Sequence, residues 1–139
     1  MLEVTAPRPD PFALPALHAT IREQARDLAG RFAARAREVR LYGLEHDEIH
    51  PELWREFSAH GWAGLVLPEE HGGSDGGLLG LVVALEALAA SNLVLWMPVL
   101  SSAIAHAIAT VGPTAAREQW LGRVASGRCL LYTSPSPRD

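Results

Sequence analysis

From Leu78 to Thr110 the chain carries a single formal charge, Glu86. So much apolar surface must be removed from water, which leaves two solutions: a membrane or a protein core. The stretch from Ala87 to Ile104 is eighteen residues without Asp, Glu, Lys or Arg, the lower limit for a membrane span. Asn92, Pro98, Ser101 and Ser102 interrupt it, and no Lys or Arg lies close by to set an orientation. Ser91-Asn92 also divides it, ending one helix (Leu78 to Ala90) and capping the next (Leu93 to Thr110). The expectation is two apolar helices at the centre of an all-helical domain, with no membrane span.

The rest of the chain supplies helices to cover them. Leu17, Ile21, Ala25, Leu28, Phe32, Ala36 and Val39 step by four or three, an apolar stripe along one helix of about six turns. Gly43 is its expected stop. Pro51 opens a second helix at a position where its missing N–H costs nothing, with Leu53, Trp54 and Phe57 as the buried face and Gly61 as the end. Gly64 to Pro68 reads as an extended connector, and Glu69 to Gly77 as a Gly-rich loop. Thr114 caps a last helix, Ala115 to Ser126, which buries Trp120, Leu121 and Val124 and stops at Gly127. The fold class is therefore all-α, with five or six helices, no strand and no internal repeat.

Composition narrows the function. The net charge of −4 argues against nucleic acid and anionic membrane surfaces, both of which need a positive excess. One cysteine rules out a disulfide framework and a thiolate-rich zinc site. No basic start with a following apolar run marks a secretory signal, so the expected compartment is the cytoplasm. Residues 1–15 hold four prolines and read as a loose leader. Residues 129–139, CLLYTSPSPRD, carry that lone cysteine, and they back-translate into the end of a transposon-based sequencing adapter. Residues 16–128 are then the native domain, and the coding sequence is expected to continue past Arg128.

Three patterns invite a chemical reading. His46 and His50 are four apart, but the zincin pattern needs Glu directly after the first His, and Asp47 stands there. Pro51 follows at once, so a solvated linker is expected. Gly72-Gly73-Ser74-Asp75-Gly76-Gly77 has the glycines of a phosphate loop but lacks the Lys-Ser/Thr after them and any strand before them, so it is expected to be a turn. His106, on an apolar helix, reads as a core histidine. No catalytic, metal-ligating or cofactor-binding constellation is expected.

One ordered set of segments goes further. Pro51-Glu52-Leu53-Trp54 precedes Gly61-Trp62-Ala63-Gly64-Leu65-Val66-Leu67-Pro68-Glu69-Glu70-His71-Gly72-Gly73. Glu86-Ala87-Leu88-Ala89, Val111-Gly112, Gln119-Trp120-Leu121 and Ala125-Ser126-Gly127 follow in that order. From about Ile21 to Arg128 this resembles the N-terminal helical domain of the acyl-CoA dehydrogenase family, Pro-Glu-Glu-His-Gly-Gly being its most specific piece. Glu86-Ala87 stands where the family usually has two Glu, and Gly122-Arg123 replaces the usual Pro after Leu121.

The resemblance implies the first part of an FAD-dependent enzyme, without the family's middle β domain and C-terminal helical bundle. In such an enzyme a carboxylate removes the α-proton of an acyl-CoA thioester while the β-hydrogen leaves as hydride to the flavin. Both groups must be closely aligned for this to proceed. The implied partners are an acyl-CoA substrate, an electron-transfer flavoprotein or similar acceptor, and further copies of the full-length chain. The base and the FAD-contacting segments fall outside this chain, and Thr133-Ser134-Pro135 is no substitute for the family's Thr-Glu-Pro. What the domain contributes, by resemblance, is a wall of the acyl pocket near Trp96, Val99, Leu100 and Ser101, shaped by a kink at Pro98. The alternatives are a stand-alone helical interaction domain without catalysis, or a flavin-less partner subunit.

Overall fold

A computed structural model describes residues 13–128; the leader up to residue 12 and the adapter-like residues 129–139 lie outside them. Among the described residues there are six α-helices and no strand. They are α1 (Ala16–Phe32), α2 (Ala36–His46), α3 (Pro51–Ala59), α4 (Gly77–Ala89), α5 (Met97–Val111) and α6 (Thr114–Ala125).

The first apolar stripe is divided between two helices. Ile21, Ala25, Leu28, Phe32 and Val39 are buried as the spacing predicts, while Leu17 is half exposed. A tight helical turn at Ala33–Arg35 separates α1 from α2. Ala33, Ala34 and Arg35 are good helix formers, so propensity carries no warning of it. The chain also runs through Gly43 and ends at His46, with Asp47 left-handed at φ 53°. Gly43 serves a different purpose: a Cβ there would lie 3.3 Å from the Glu48 carbonyl oxygen, so its bare backbone lets the returning chain pass close.

Most of the core gathers around α1, α3 and α4. Leu28, Leu53, Phe57, Trp62, Leu65, Leu81 and Leu88 are buried there together. Full burial of one such side chain is worth about 1.5–3 kcal/mol. Phe57 stacks on Trp54 at 5.6 Å between centroids and meets Trp62 edge-on at 5.5 Å. On the surface, Arg35 donates to Glu38 and Glu52, which ties the start of α2 to α3, and Arg31 pairs with Glu56 at 3.2 Å.

The connector from Gly61 to Gly76 is coiled rather than extended. Trp62–Gly64 and Glu69–His71 are single tight turns, because the chain closes local bonds such as Leu65 N–H to the Trp62 carbonyl and Leu67 N–H to the Gly64 carbonyl. Its glycines have steric reasons. At Gly64 a Cβ would lie 3.0 Å from Ala125 Cα, so the connector and α6 touch backbone to backbone. At Gly73 a Cβ would collide with the Leu67 carbonyl.

A second, smaller cluster joins α5 and α6 to the connector through Leu67, Ala105, Leu121, Val124 and Ala125. Trp120, expected inside, is only half-buried, with the Arg123 guanidinium 5.5 Å from its ring. Thr114 begins α6 rather than capping it from the side chain; Arg117 Nε donates to the Gly112 carbonyl at that end. At the other end Trp54 Nε1 donates to the Gly127 carbonyl at 3.0 Å, fixing the exit of α6 against α3.

Candidate functional site

The segment before α5 sets the geometry. Asn92 is left-handed at φ 61°, and the turn after α4 closes through Leu93 N–H to the Leu88 carbonyl. Asn92 does not cap α5. Four non-helical residues intervene, and α5 begins at Met97 with Trp96 at its cap and Pro98 in its first turn. Pro98 therefore opens the helix and makes no kink within it. Burial alternates through the intervening residues: Leu93 and Leu95 point inward, Val94 and Trp96 outward.

Within α5 the sides are inverted relative to an ordinary amphipathic helix. The buried side carries Met97, Pro98, Ser101, Ser102 and Ala105. The exposed side carries Val99, Leu100, Ile104 and Val111, with Ala103 and Ala107 between them. Small residues predominate inside, Ala105 joining the cluster with α6, while Val99, Leu100 and Ile104 face away; Met97 is buried and Ile108 packs partly against that cluster.

Of the sequence-singled residues, Trp96 (47% exposed), Val99 (45%) and Leu100 (38%) therefore share the outer side, and Ser101 (2%) lies behind them. Ala103, Ile104 and Ala107 continue the same surface and were legible in the spacing from Val99 and Leu100. His106 is exposed and is not a core histidine.

Beside Trp96 a cavity of about 340 Å³ opens between α2, the connection to α3 and the segment leading into α5. Val39, Leu44, Ile49, Leu53, Leu95 and Trp96 give it an apolar lining, and Arg40, Asp47, Glu48 and His50 add polar groups. The sequence gives no sign of it, since it joins residues about fifty positions apart.

The other motifs resolve into structure. His46 and His50 both lie against Tyr42, one stacked at 4.2 Å and the other edge-on at 5.1 Å, and His46 Nδ1 meets the Tyr42 carbonyl. Among the described residues no three His, Cys, Asp or Glu side chains are grouped to hold a metal ion. In the Gly-rich loop the N–H groups of Gly72, Gly73, Ser74, Asp75 and Gly77 are all donated to backbone carbonyls. They are not free to cradle a phosphate, so this loop does not fit the pyrophosphate of FAD. Among the described residues no helix is long and apolar enough to cross a membrane. Glu38 is held below the ordinary carboxylate range, chiefly by its hydrogen bonds from Arg35, and the Arg35 pKa is raised in return by Glu38 and Glu52.

The described residues thus form a helical domain whose distinctive feature is an apolar wall turned outward. The family model for "Acyl-CoA dehydrogenase, N-terminal domain" matches residues 15–128, and the chain belongs to that family as its N-terminal domain. Among curated proteins it is 38% identical over 81 residues to acyl-CoA dehydrogenase FadE12 of Mycobacterium tuberculosis, covering 58% of this chain and 21% of the relative. The same figures hold for acyl-CoA dehydrogenase fadE12 of Mycobacterium bovis. The aligned part thus spans about a fifth of the length of these relatives. No solved structure matches.

Proposed function

We propose that residues 16–128 are the N-terminal domain of an FAD-dependent acyl-CoA dehydrogenase that desaturates an acyl-CoA thioester between its α and β carbons. The observation that carries this reading, beyond family membership, is the outward side of α5, where Val99, Leu100 and Ile104 are exposed while Ser101, Ser102 and Ala105 are buried. In this reading Trp96, Val99 and Leu100 wall the acyl pocket and exclude water from it, and Ser101 lets α5 seat closely behind that wall. FAD, which supplies the hydride-accepting chemistry, is held by segments outside the described residues. The catalytic carboxylate lies outside them as well. An electron-transfer flavoprotein or similar acceptor, assembly of full-length copies and a cytoplasmic location belong to the same proposal.

The deciding experiment is to read the source DNA across codon 128 and onward. Continuation into Thr-Glu-Pro and Gly-Ser-Asp segments, with a later carboxylate-bearing helical domain, is the expected result. Genomic DNA that itself encodes residues 129–139 and then stops would overturn it. In the full-length enzyme, Leu100→Trp is expected to shift acyl chain-length preference more than thermal stability, measured as kcat/KM across a substrate series. An unchanged preference profile would remove Leu100 from the pocket wall.

A further inference from the structure

His18 stands where two helices begin. It lies in the first turn of α1, and its Nε2 meets the Gly76 carbonyl at 3.0 Å, just before α4 starts at Gly77. A carbonyl oxygen only accepts, so Nε2 carries the proton and donates. The same carbonyl takes the Gly80 N–H at 3.0 Å in the first turn of α4. The ring also lies against α4, since a Cβ at Gly80 would be 3.7 Å from His18 Cδ2. One imidazole thus ties α1 to the end of the Gly-rich loop.

The surroundings of that ring oppose a charge. With Nε2 protonated, Nδ1 of the neutral ring is an acceptor, and it is buried without a hydrogen-bond partner. A second proton would place a charged N–H there with nothing to receive it. Arg22 follows one turn along α1, with its own Nε buried and unpartnered, and two cations at that spacing repel. The N-terminal ends of α1 and α4 meet here, and each carries the positive end of a helix dipole. Asp75 neighbours Gly76 on the loop, yet among the described residues no carboxylate forms an ion pair with His18. α4 holds no charged residue before Glu86. His71, earlier in the loop, lies 3.5 Å from Glu70, a contact that acid strengthens, so it cannot mimic a release at His18.

We infer that His18 is an acid-sensitive latch: its neutral ring holds the Gly-rich loop and the start of α4 against α1, and protonation releases them. The step is the transfer of one proton from solvent to Nδ1, with no other bond made or broken. Since the charged ring is the disfavoured form, the tie is present while imidazole is neutral and is lost as acid charges it. The inference does not depend on the acyl-pocket reading.

The test is amide hydrogen exchange read by mass spectrometry on the complete chain that the source DNA encodes. Exchange is compared at about pH 8 and about pH 5, which bracket the histidine range, with exposure times scaled to the intrinsic exchange rate. Peptides covering residues 72–81 are expected to lose protection about tenfold in acid, the population change that one unsatisfied buried donor produces. Peptides from α3 and α6 are expected to keep theirs. His18→Gln, whose amide can still donate to the Gly76 carbonyl but takes no charge, is expected to stay protected at both pH values. His18→Leu, which cannot donate, is expected to be unprotected at both. A His18→Gln chain that loses protection in acid as the parent does would overturn the latch. If the variants do not fold, the parent profile decides by itself. A loss confined to residues 72–81 supports the latch. No loss, a loss shared by every peptide, or a loop already unprotected at about pH 8 overturns it.

Discussion

Helices α4 and α5 have nearly the same vocabulary and opposite assignments. Both are built of Leu, Val, Ala and small residues, and together they hold one formal charge. In α4 the packed side carries Leu81, Val83, Ala84, Ala87 and Leu88, mixing large groups with alanines against α1. In α5 the packed side is Pro98, Ser101, Ser102 and Ala105 after Met97, and Val99, Leu100 and Ile104 face outward. Hydrophobicity thus says that a helix must be covered but not by what. α4 is covered mainly from within the domain, although Leu78, Leu79 and Val82 remain exposed at its start and flank. α5 buries Met97 but leaves Val99, Leu100 and Ile104 exposed. The packed sides differ in both size and polarity: α5 turns Ser101, Ser102 and Ala105 inward, whereas α4 also buries Leu81, Val83 and Leu88.

Substitutions in the two clusters sharpen this contrast. The largest loss is expected from Phe57→Ala in the α1–α3–α4 core, about 3–5 kcal/mol by chemical denaturation, because a fully buried ring leaves a hole its neighbours cannot close. A loss below about 1 kcal/mol would mean that the main core lies elsewhere. Leu121→Ala in the α5–α6 cluster is expected to cost about 2 kcal/mol, the lower end for such a change, since that cluster is small. A cost equal to that of Phe57→Ala would break the division into a major and a minor core.

A smaller effect is expected from Arg35→Gln, which removes the tie from α2 to α3. Arg35 also pairs with Glu38 one turn on, and because Glu38 is held below its ordinary value, the stabilisation from the Arg35–Glu38 pair is present above the ordinary carboxylate range and is lost as pH falls through the depressed value. The melting-temperature gap between the parent and Arg35→Gln should therefore be open at neutral pH and close on acidification. A gap that widens in acid would reverse the assignment. Smallest of all is Ile104→Ser on the outward wall, expected to change stability by about 0.5 kcal/mol or less while lowering the binding of an apolar dye. A large destabilisation would show that the outer side of α5 belongs to the domain's own core.

The helical class, the stripe from Ile21 to Val39, the Pro51 start and the burial of Leu53, Phe57, Leu121 and Val124 were all legible in the chain. Periodicity and a proline at a first turn are local signals that survive any packing arrangement. Within the resembling segment Pro68-Glu69-Glu70-His71-Gly72-Gly73, the two glycines have a backbone reason, Gly72 a left-handed φ of 78° and Gly73 a close approach to the Leu67 carbonyl. The break at Ala33–Arg35 was hidden because its residues suit a continuous helix equally well. The true start of α5 was hidden because Leu93–Trp96 is as apolar as the helix it precedes. Trp120 and His106 were misplaced because composition gives a helix's apolar character without its rotation. Which side of α5 faces out, and that Trp96 joins that side to a cavity made by α2 and α3, depend on side chains brought together from distant parts of the chain. Only the tertiary structure decided them, because close packing is settled by volume and shape between elements and not by the order of residues within one.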